Sequence, residues 1–411
     1  MQNFEESLYN SFEKYKEKSL KIRRFKQKDI LPLIQKLPFE NMVVGHSYEG
    51  REIIKVALGQ GKRKILLWSQ MHGNEATATM AIFDIFNFFK EKGVDFQSEK
   101  EEILSNLQLH FIPMLNPDGA ERFIRYTAQG IDMNRDALRL QCPESRILKD
   151  NVGKLKPEFS FNLHDQGTRY SAGISPKQAT VSFLATAYNE AREWNEVRIK
   201  SRQVIGHLNA VLQNFIPGGI GRFSDEFEPR AFGDNIQKWG SSLILIESGG
   251  LVGDLEKQEI RKLNFVAILS ALLAISRENY GHFSLQDYEN IPQNEKALFD
   301  LKIENAQMEG SGGKYMVDLG INIDEKNNPR ATNYTHTSVI EDIGDLSVFF
   351  GLKTIDAQGA ILKPISQFPA LVQKYKIKGS TPSQIELGGK ASFVIDYKSG
   401  QKVILNGKIL D

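Results

Sequence analysis

His72-Gly73-Asn74-Glu75 stands at the end of an apolar run, and two further apolar runs far downstream close on His164 and on Glu247. Histidine and glutamate in this arrangement are ligand types for a single zinc ion. Catalytic zinc takes three protein ligands and leaves a fourth position to water, whose pKa it lowers toward ~7. His72, Glu75 and His164 can supply those three ligands, which predicts one zinc per chain and a hydrolytic chemistry.

The elements that must position these residues follow from periodicity. Lys64 to Gln70 reads as a buried strand and Ala76 to Phe89 as a helix, so His72 and Glu75 fall on the turn between them. His164 ends the run from Phe159, and Glu247 ends the run from Leu243. All four groups then lie at the carboxyl ends of strands, where open α/β sheets gather their ligands.

Asn116-Pro117-Asp118-Gly119 follows a predicted strand over 107–115, and the chain continues through Arg125 to Gly130-Ile131-Asp132-Met133-Asn134-Arg135. HxxE, NPDG, an arginine ahead of GxDxNR, a later histidine and a final glutamate occur in that order over roughly residues 40 to 275. In this the chain resembles the zinc carboxypeptidase family, the carboxypeptidase A-like metallopeptidases. The resemblance implies zinc ligands at His72, Glu75 and His164, and a general base and acid at Glu247. It implies that Arg125 stabilises the oxyanion, a role that needs a fixed positive charge in a dry site. Asn134 and Arg135 match the pair that holds the substrate's terminal carboxylate, for which a planar guanidinium is suited. Asp132 matches a carboxylate that orients the first histidine. Arg122 has no motif position of its own.

The departures bear on substrate more than on reaction. Asn74 stands where the best-known members carry an arginine that contacts substrate, and no tyrosine occurs between Tyr188 and Glu247, where a mobile one is usual. The charged stretch from Arg222 to Asn235 is either a solvated loop or a pocket lining that selects a polar substrate. HGNE also resembles the deacylases of N-acyl amino acids, such as aspartoacylase and succinylglutamate desuccinylase. NPDG and GxDxNR favour a peptidase, although Asp136 replaces a common second asparagine. The expected substrate is a small peptide or an N-acyl amino acid. A third reading is an inactive module that only binds carboxylates, but such a module has no need of a general base.

The 411 residues, 41% of them apolar, can bury a large core and fill two domains. With 52 basic and 51 acidic residues the formal charge is +1, so no strong field recruits nucleic acid or an anionic membrane. The single cysteine, Cys142, cannot form an internal disulfide, which suits a reducing compartment. The first residues lack a signal-peptide pattern and no run is long enough to span a bilayer, so a cytoplasmic location is expected. Nothing in the sequence sets an oligomeric state.

The fold class expected is α/β: a doubly wound, mostly parallel (mixed) sheet flanked by helices over residues 1–278, then a β-rich, sandwich-like domain over 279–411. Residues 4–36 read as mostly helical, 43–56 as a hairpin, and 179–215 and 255–275 as helices. Beyond residue 281, short β-like runs at 315–323, 346–354, 391–397 and 403–408 alternate with Gly, Asn, Asp and Pro. His46, His110, His207, His282 and His336 have no partner at ligand spacing and read as structural.

Overall fold

Ile65-Leu66-Leu67-Trp68 is apolar at every position because both of its faces are covered. Leu66 and Trp68 pack with Ile112, Leu148, Val152, Phe232, Ile236 and Leu243. Ile65 and Leu67, one residue out of phase, point to the opposite face, and all four side chains are buried. The Thr77–Lys90 and Gln258–Arg277 helices are buried along most of their lengths and pack on one another.

The computed structural model describes residues 3–377 and 381–410. The chain divides by packing into two units: residues up to Gly173 with Lys177–Glu295, and Ile174–Pro176 with the residues from Lys296 on. Strands of the first unit, in chain order, are β1 Glu40–His46, β2 Glu52–Leu58, β3 Arg63–Ser69, β4 Leu107–Ile112, β5 Phe159–Asp165, β6 Ser171–Ala172, β7 Val181–Leu184, β8 Ile220–Arg222, β9 Ser242–Ser248 and β10 Asn294–Glu295. Eight of them form one sheet in the order β1-β2-β4-β3-β5-β9-β7-β8. The central four, β4-β3-β5-β9, are parallel, while β1, β2 and β7 join antiparallel to their inner neighbours. This is the mixed, helix-flanked sheet expected from the sequence.

The mostly helical start expected over 4–36 is present as two helices, Phe4–Tyr15 and Gln27–Gln35. Two expectations here need correction. Where a helix is predicted over 179–215, Val181–Leu184 is strand β7 and the helix runs only Glu196–Leu212, starting where the Asn195 side chain accepts from the Arg198 N–H. The division expected at 278/279 falls later. Ser284 and Asp287 form a capping box that starts the Leu285–Glu289 helix, the fully buried Tyr288 accepts a hydrogen bond from the Ala185 N–H at 3.1 Å, and β10 pairs with β6. Residues 279–295 therefore pack with the first unit.

The second unit is β-rich, as expected. Its strands are β11 Leu298–Phe299, β12 Leu301–Gly310, β13 Gly313–Asn327, β14 Tyr334–Gly344, β15 Phe350–Gly351, β16 Thr354–Asp356, β17 Ile361–Pro364, β18 Phe393–Tyr397, β19 Gly400–Leu405 and β20 Lys408–Leu410. The run predicted at 346–354 holds only β15 and the start of β16. One bonded path runs β14-β13-β12-β17-β18-β19-β20, with β16 also on β12. The sheet curls enough for its edges to meet: the Ser338 N–H on β14 donates to Asn406 Oδ1 at 2.9 Å, in the turn between β19 and β20. An apolar cluster that includes Leu301, Leu319, Ile340, Leu362, Phe393 and Ile404 fills the interior. Among the described residues, no helix is long and apolar enough to cross a membrane.

Candidate active site

The turn carrying His72 and Glu75 is built by two motifs locking together. β3 ends at Ser69, and Gln70 turns the chain with φ 46°, a left-handed conformation uncommon for a residue with a side chain. The Asn116 N–H donates to the Gln70 carbonyl at 2.9 Å, and Asn116 Nδ2 donates to the Met71 carbonyl at 3.2 Å. Asn116 Oδ1 also accepts from the Gly119 N–H, capping the Pro117–Arg122 helix. A Cβ on Gly73 would lie 1.9 Å from the Gly119 carbonyl carbon, so this approach admits only glycine. HGNE and NPDG thus form one structural unit.

From this turn three groups converge. His72 Nδ1 lies 2.7 Å from Glu75 Oε1, and His164 Nδ1 lies 2.6 Å from Glu75 Oε2. The candidate ligand atoms of His72, Glu75 and His164 are all within 4.8 Å of one another, and all three residues are buried. The Asp165 N–H donates to Glu75 Oε2 at 3.2 Å, fixing the carboxylate from the end of β5. Glu247 on β9 is in register with His164 on β5, so the two side chains leave the same face of neighbouring parallel strands.

The donor set fits zinc. Two imidazole nitrogens and a carboxylate oxygen are its usual ligands, and three of them leave a position open for chemistry. The remaining polar atoms point the same way: His164 Nε2 and Glu247 Oε2 are buried without a hydrogen-bond partner, a condition that is costly unless a ligand, ion or water completes it. Burial, aided by the nearby Glu75 and Asp165 carboxylates, pushes the Glu247 carboxyl up to about 8. Burial alone would also raise Glu75, but the His72 and His164 imidazoles outweigh it and hold that carboxyl well below the usual range.

Around this core stand the residues of the GxDxNR segment. Asp132 Oδ1 lies 3.0 Å from His72 Nε2, and Oδ1 also accepts from the Asn134 N–H at 2.9 Å, capping the Met133–Arg135 turn. Arg125 donates through two nitrogens to Asp132 Oδ2 at 3.1 and 3.0 Å and approaches Glu75 Oε1 at 3.4 Å. Burial opposes ionisation of Asp132, yet His72 and Arg125 together hold it well below the usual carboxylate range. Asn134 Oδ1 accepts from the Phe232 N–H at 3.0 Å. The Arg135 side chain is about as exposed as that of Arg125, and its Nε lies 3.2 Å from Glu228 Oε2.

The other candidates separate from the site. Arg122 pairs with Glu49 and with the Asp118 carbonyl of its own helix. Asp136 accepts from the Gln141 and Cys142 N–H groups, and the buried Cys142 thiol is pushed up to about 12, chiefly by burial. His110 is buried in β4, and burial pushes it down to about 4. Of the charges between Arg222 and Asn235, Asp225 pairs with Arg198 and Glu228 with Arg135 and Arg230, while Glu226 and Arg230 are exposed.

Sequence reasoning missed Asp165. Its side chain accepts from Thr77 Oγ1 at 2.6 Å and from Lys257 Nζ at 3.2 Å, which seats the N–H that holds Glu75. Its only signal in the sequence is its place beside His164.

Comparison with known proteins agrees with this geometry. Residues 39–195 match the family profile described as zinc carboxypeptidase. Among curated proteins, a probable carboxypeptidase 2 of Trichophyton verrucosum (strain HKI 0517) is 23% identical over 205 residues, which is 46% of this chain and 34% of that protein. Carboxypeptidase Z of Gallus gallus is 27% identical over 112 residues, 23% of this chain and 17% of its own length. The chain thus spans about a third or less of the curated relatives it matches. Among solved structures, a metallo-carboxypeptidase from Burkholderia cenocepacia shares the fold with a TM-score of 0.50 at 16% identity, covering 62% of this chain and 70% of that one. The matched stretch contains His72, Glu75, Arg125, Asp132, Asn134, Arg135 and His164, while Glu247 lies beyond it, and over that stretch the chain is similar to the zinc carboxypeptidase family.

Proposed function

We propose that the protein is a zinc-dependent carboxypeptidase that hydrolyses an amide bond next to a free carboxylate, with peptides as its substrates. The observation that carries this reading is the convergence of His72, Glu75 and His164 at the strand ends, with Glu247 in register beside His164. These three residues would hold one zinc ion, and when bound it supplies a Lewis acid that acidifies water and polarises a carbonyl.

The protein's own groups then divide the work. Glu247 accepts the proton of the attacking water and returns it to the departing amine. Its carboxyl, raised by burial, suits a position beside a cation, whose charge would favour the ionised form. Arg125 supplies fixed positive charge to the oxyanion, and its contacts with Asp132 hold the guanidinium in place. Asp132 accepts from His72 Nε2 and so presents Nδ1 to the metal. Asn134 and Arg135 take the terminal carboxylate. A cytoplasmic setting belongs to the same proposal and rests on the lone, buried Cys142.

Amino-acid release from a panel of peptides and N-acyl amino acids, run with and without a zinc chelator, tests the reading. Chelator-sensitive release from peptides supports it. Release from N-acyl amino acids alone would reassign the site to deacylation, and no release from either would leave a binding site only.

A further inference from the structure

The stretch between Arg222 and Asn235 holds charges that the proposed reaction does not use, and its backbone is tied down. Arg198, whose side chain is fully buried, donates to Asp225 Oδ2 at 2.5 Å and to the carbonyls of Ala185 and Arg192. Three residues further on, the Glu228 N–H donates to Asp234 Oδ1 at 3.1 Å, and the Glu228 carbonyl accepts from the Ala231 N–H at 2.9 Å. Glu228 is therefore presented from a fixed position.

Its carboxylate reaches two arginines. Arg230 donates to Oε1 through Nε at 3.0 Å and to Oε2 through a terminal nitrogen at 2.9 Å, a two-pronged pair. Arg135 Nε lies 3.2 Å from Oε2, an ion-pair contact without hydrogen-bond geometry, and the Arg135 guanidinium donates instead to the carbonyl of Asn134 at 2.8 Å. The guanidinium assigned to the substrate's carboxylate already faces a carboxylate of the protein.

We propose that Glu228 is an internal competitor for Arg135, holding the guanidinium until a substrate carboxylate replaces it and thereby weakening the binding of free carboxyl termini. This rests on the reading of Arg135 given above. Two features separate a competitor from a brace. Glu228 stays seated on Arg230 when Arg135 lets go, because that pair is two-pronged and the Arg135 contact is not. Two guanidinium charges also share one carboxylate, so a second carboxylate completes the charge balance instead of adding to a deficit.

The test is Glu228→Gln in the full chain loaded with zinc, assayed with a short peptide. Removing the competitor should lower KM about threefold or more, the scale of a partly exposed ion pair, with kcat within about twofold. Binding of an N-acetyl amino acid should tighten in parallel, whereas binding of its C-terminal amide should not change. In an Arg135→Ala background, Glu228→Gln should no longer move KM. An unchanged or raised KM in Glu228→Gln would overturn the proposal and make Glu228 a bystander or a brace. A KM that still falls without Arg135 would overturn it as well, by placing the effect elsewhere. If Arg135→Ala by itself leaves KM unchanged, the role of Arg135 fails, and the competitor falls with it; if Arg135→Ala raises KM but Glu228→Gln does not lower it, only the competitor fails.

Discussion

Two of the groups of buried charge in the first unit are finished to different degrees. Asp84 and Arg261 have fully buried side chains, and every nitrogen of the guanidinium has an acceptor: both Asp84 oxygens, the Leu20 and Glu17 carbonyls and Gln258. Asp84 also accepts from the Glu17 N–H. The group at the strand ends is also largely shielded from solvent, but it leaves the buried atoms His164 Nε2 and Glu247 Oε2 without partners. A buried charge whose bonds are all made within the chain is a staple. One that is left incomplete in a folded interior is arranged for something that arrives later.

The sharpest way to break this comparison is to disable the incomplete group without disturbing the fold. Glu247→Gln keeps size and shape but cannot take a proton, so kcat should fall by ~10²–10⁴ while zinc stays bound. Near-normal turnover would move the base elsewhere. The complementary change is in the finished group. Arg261→Met leaves Asp84 buried and unpaired, and should cost ~3–5 kcal/mol in denaturant unfolding, with zinc per folded chain unchanged. A small loss of stability would mean that the pair is no staple.

Two smaller effects sharpen the assignment. Asp132→Asn should weaken zinc ~10–100-fold in chelator competition, the usual cost of losing the carboxylate behind a ligating histidine; unchanged affinity would remove Asp132 from that role. Arg135→Ala should raise KM about tenfold with little change in kcat, as expected for loss of a charged hydrogen bond made equally in ground and transition states. A fall in kcat instead would exchange the roles of Arg135 and Arg125.

Much of the site was legible because its residues are close in sequence or sit at run ends. His72 and Glu75 share one turn, Asp132, Asn134 and Arg135 share another, and His164 and Glu247 each close a strand. What was illegible depended on distance in the chain. Glu228 meets Arg135, and Lys257 meets Asp165, only through the fold. In the fold itself, Val181-Ser182-Phe183-Leu184 reads as helix in the sequence because a short run buried in β7 has no period that separates it from a buried helical turn. The Leu346 to Thr354 run alternates Leu346, Val348, Phe350 and Leu352 with Ser347, Gly351 and Lys353 apart from Phe349, the pattern of a half-buried strand, yet only Phe350–Gly351 and Thr354 of it are strand, so local alternation alone did not set the pairing. The boundary at 278 failed for a related reason: the texture of residues 279–295 is loop-like, and only the packing of Tyr288 and β10 shows where they belong.

The central claim is that the incomplete group is a zinc site, and elemental analysis of purified protein alongside its His164→Ala variant tests it most directly. The account predicts one zinc per chain in the unaltered protein and loss of that zinc in the variant, with the circular dichroism of a folded chain retained. Undiminished zinc in a folded His164→Ala protein would contradict it.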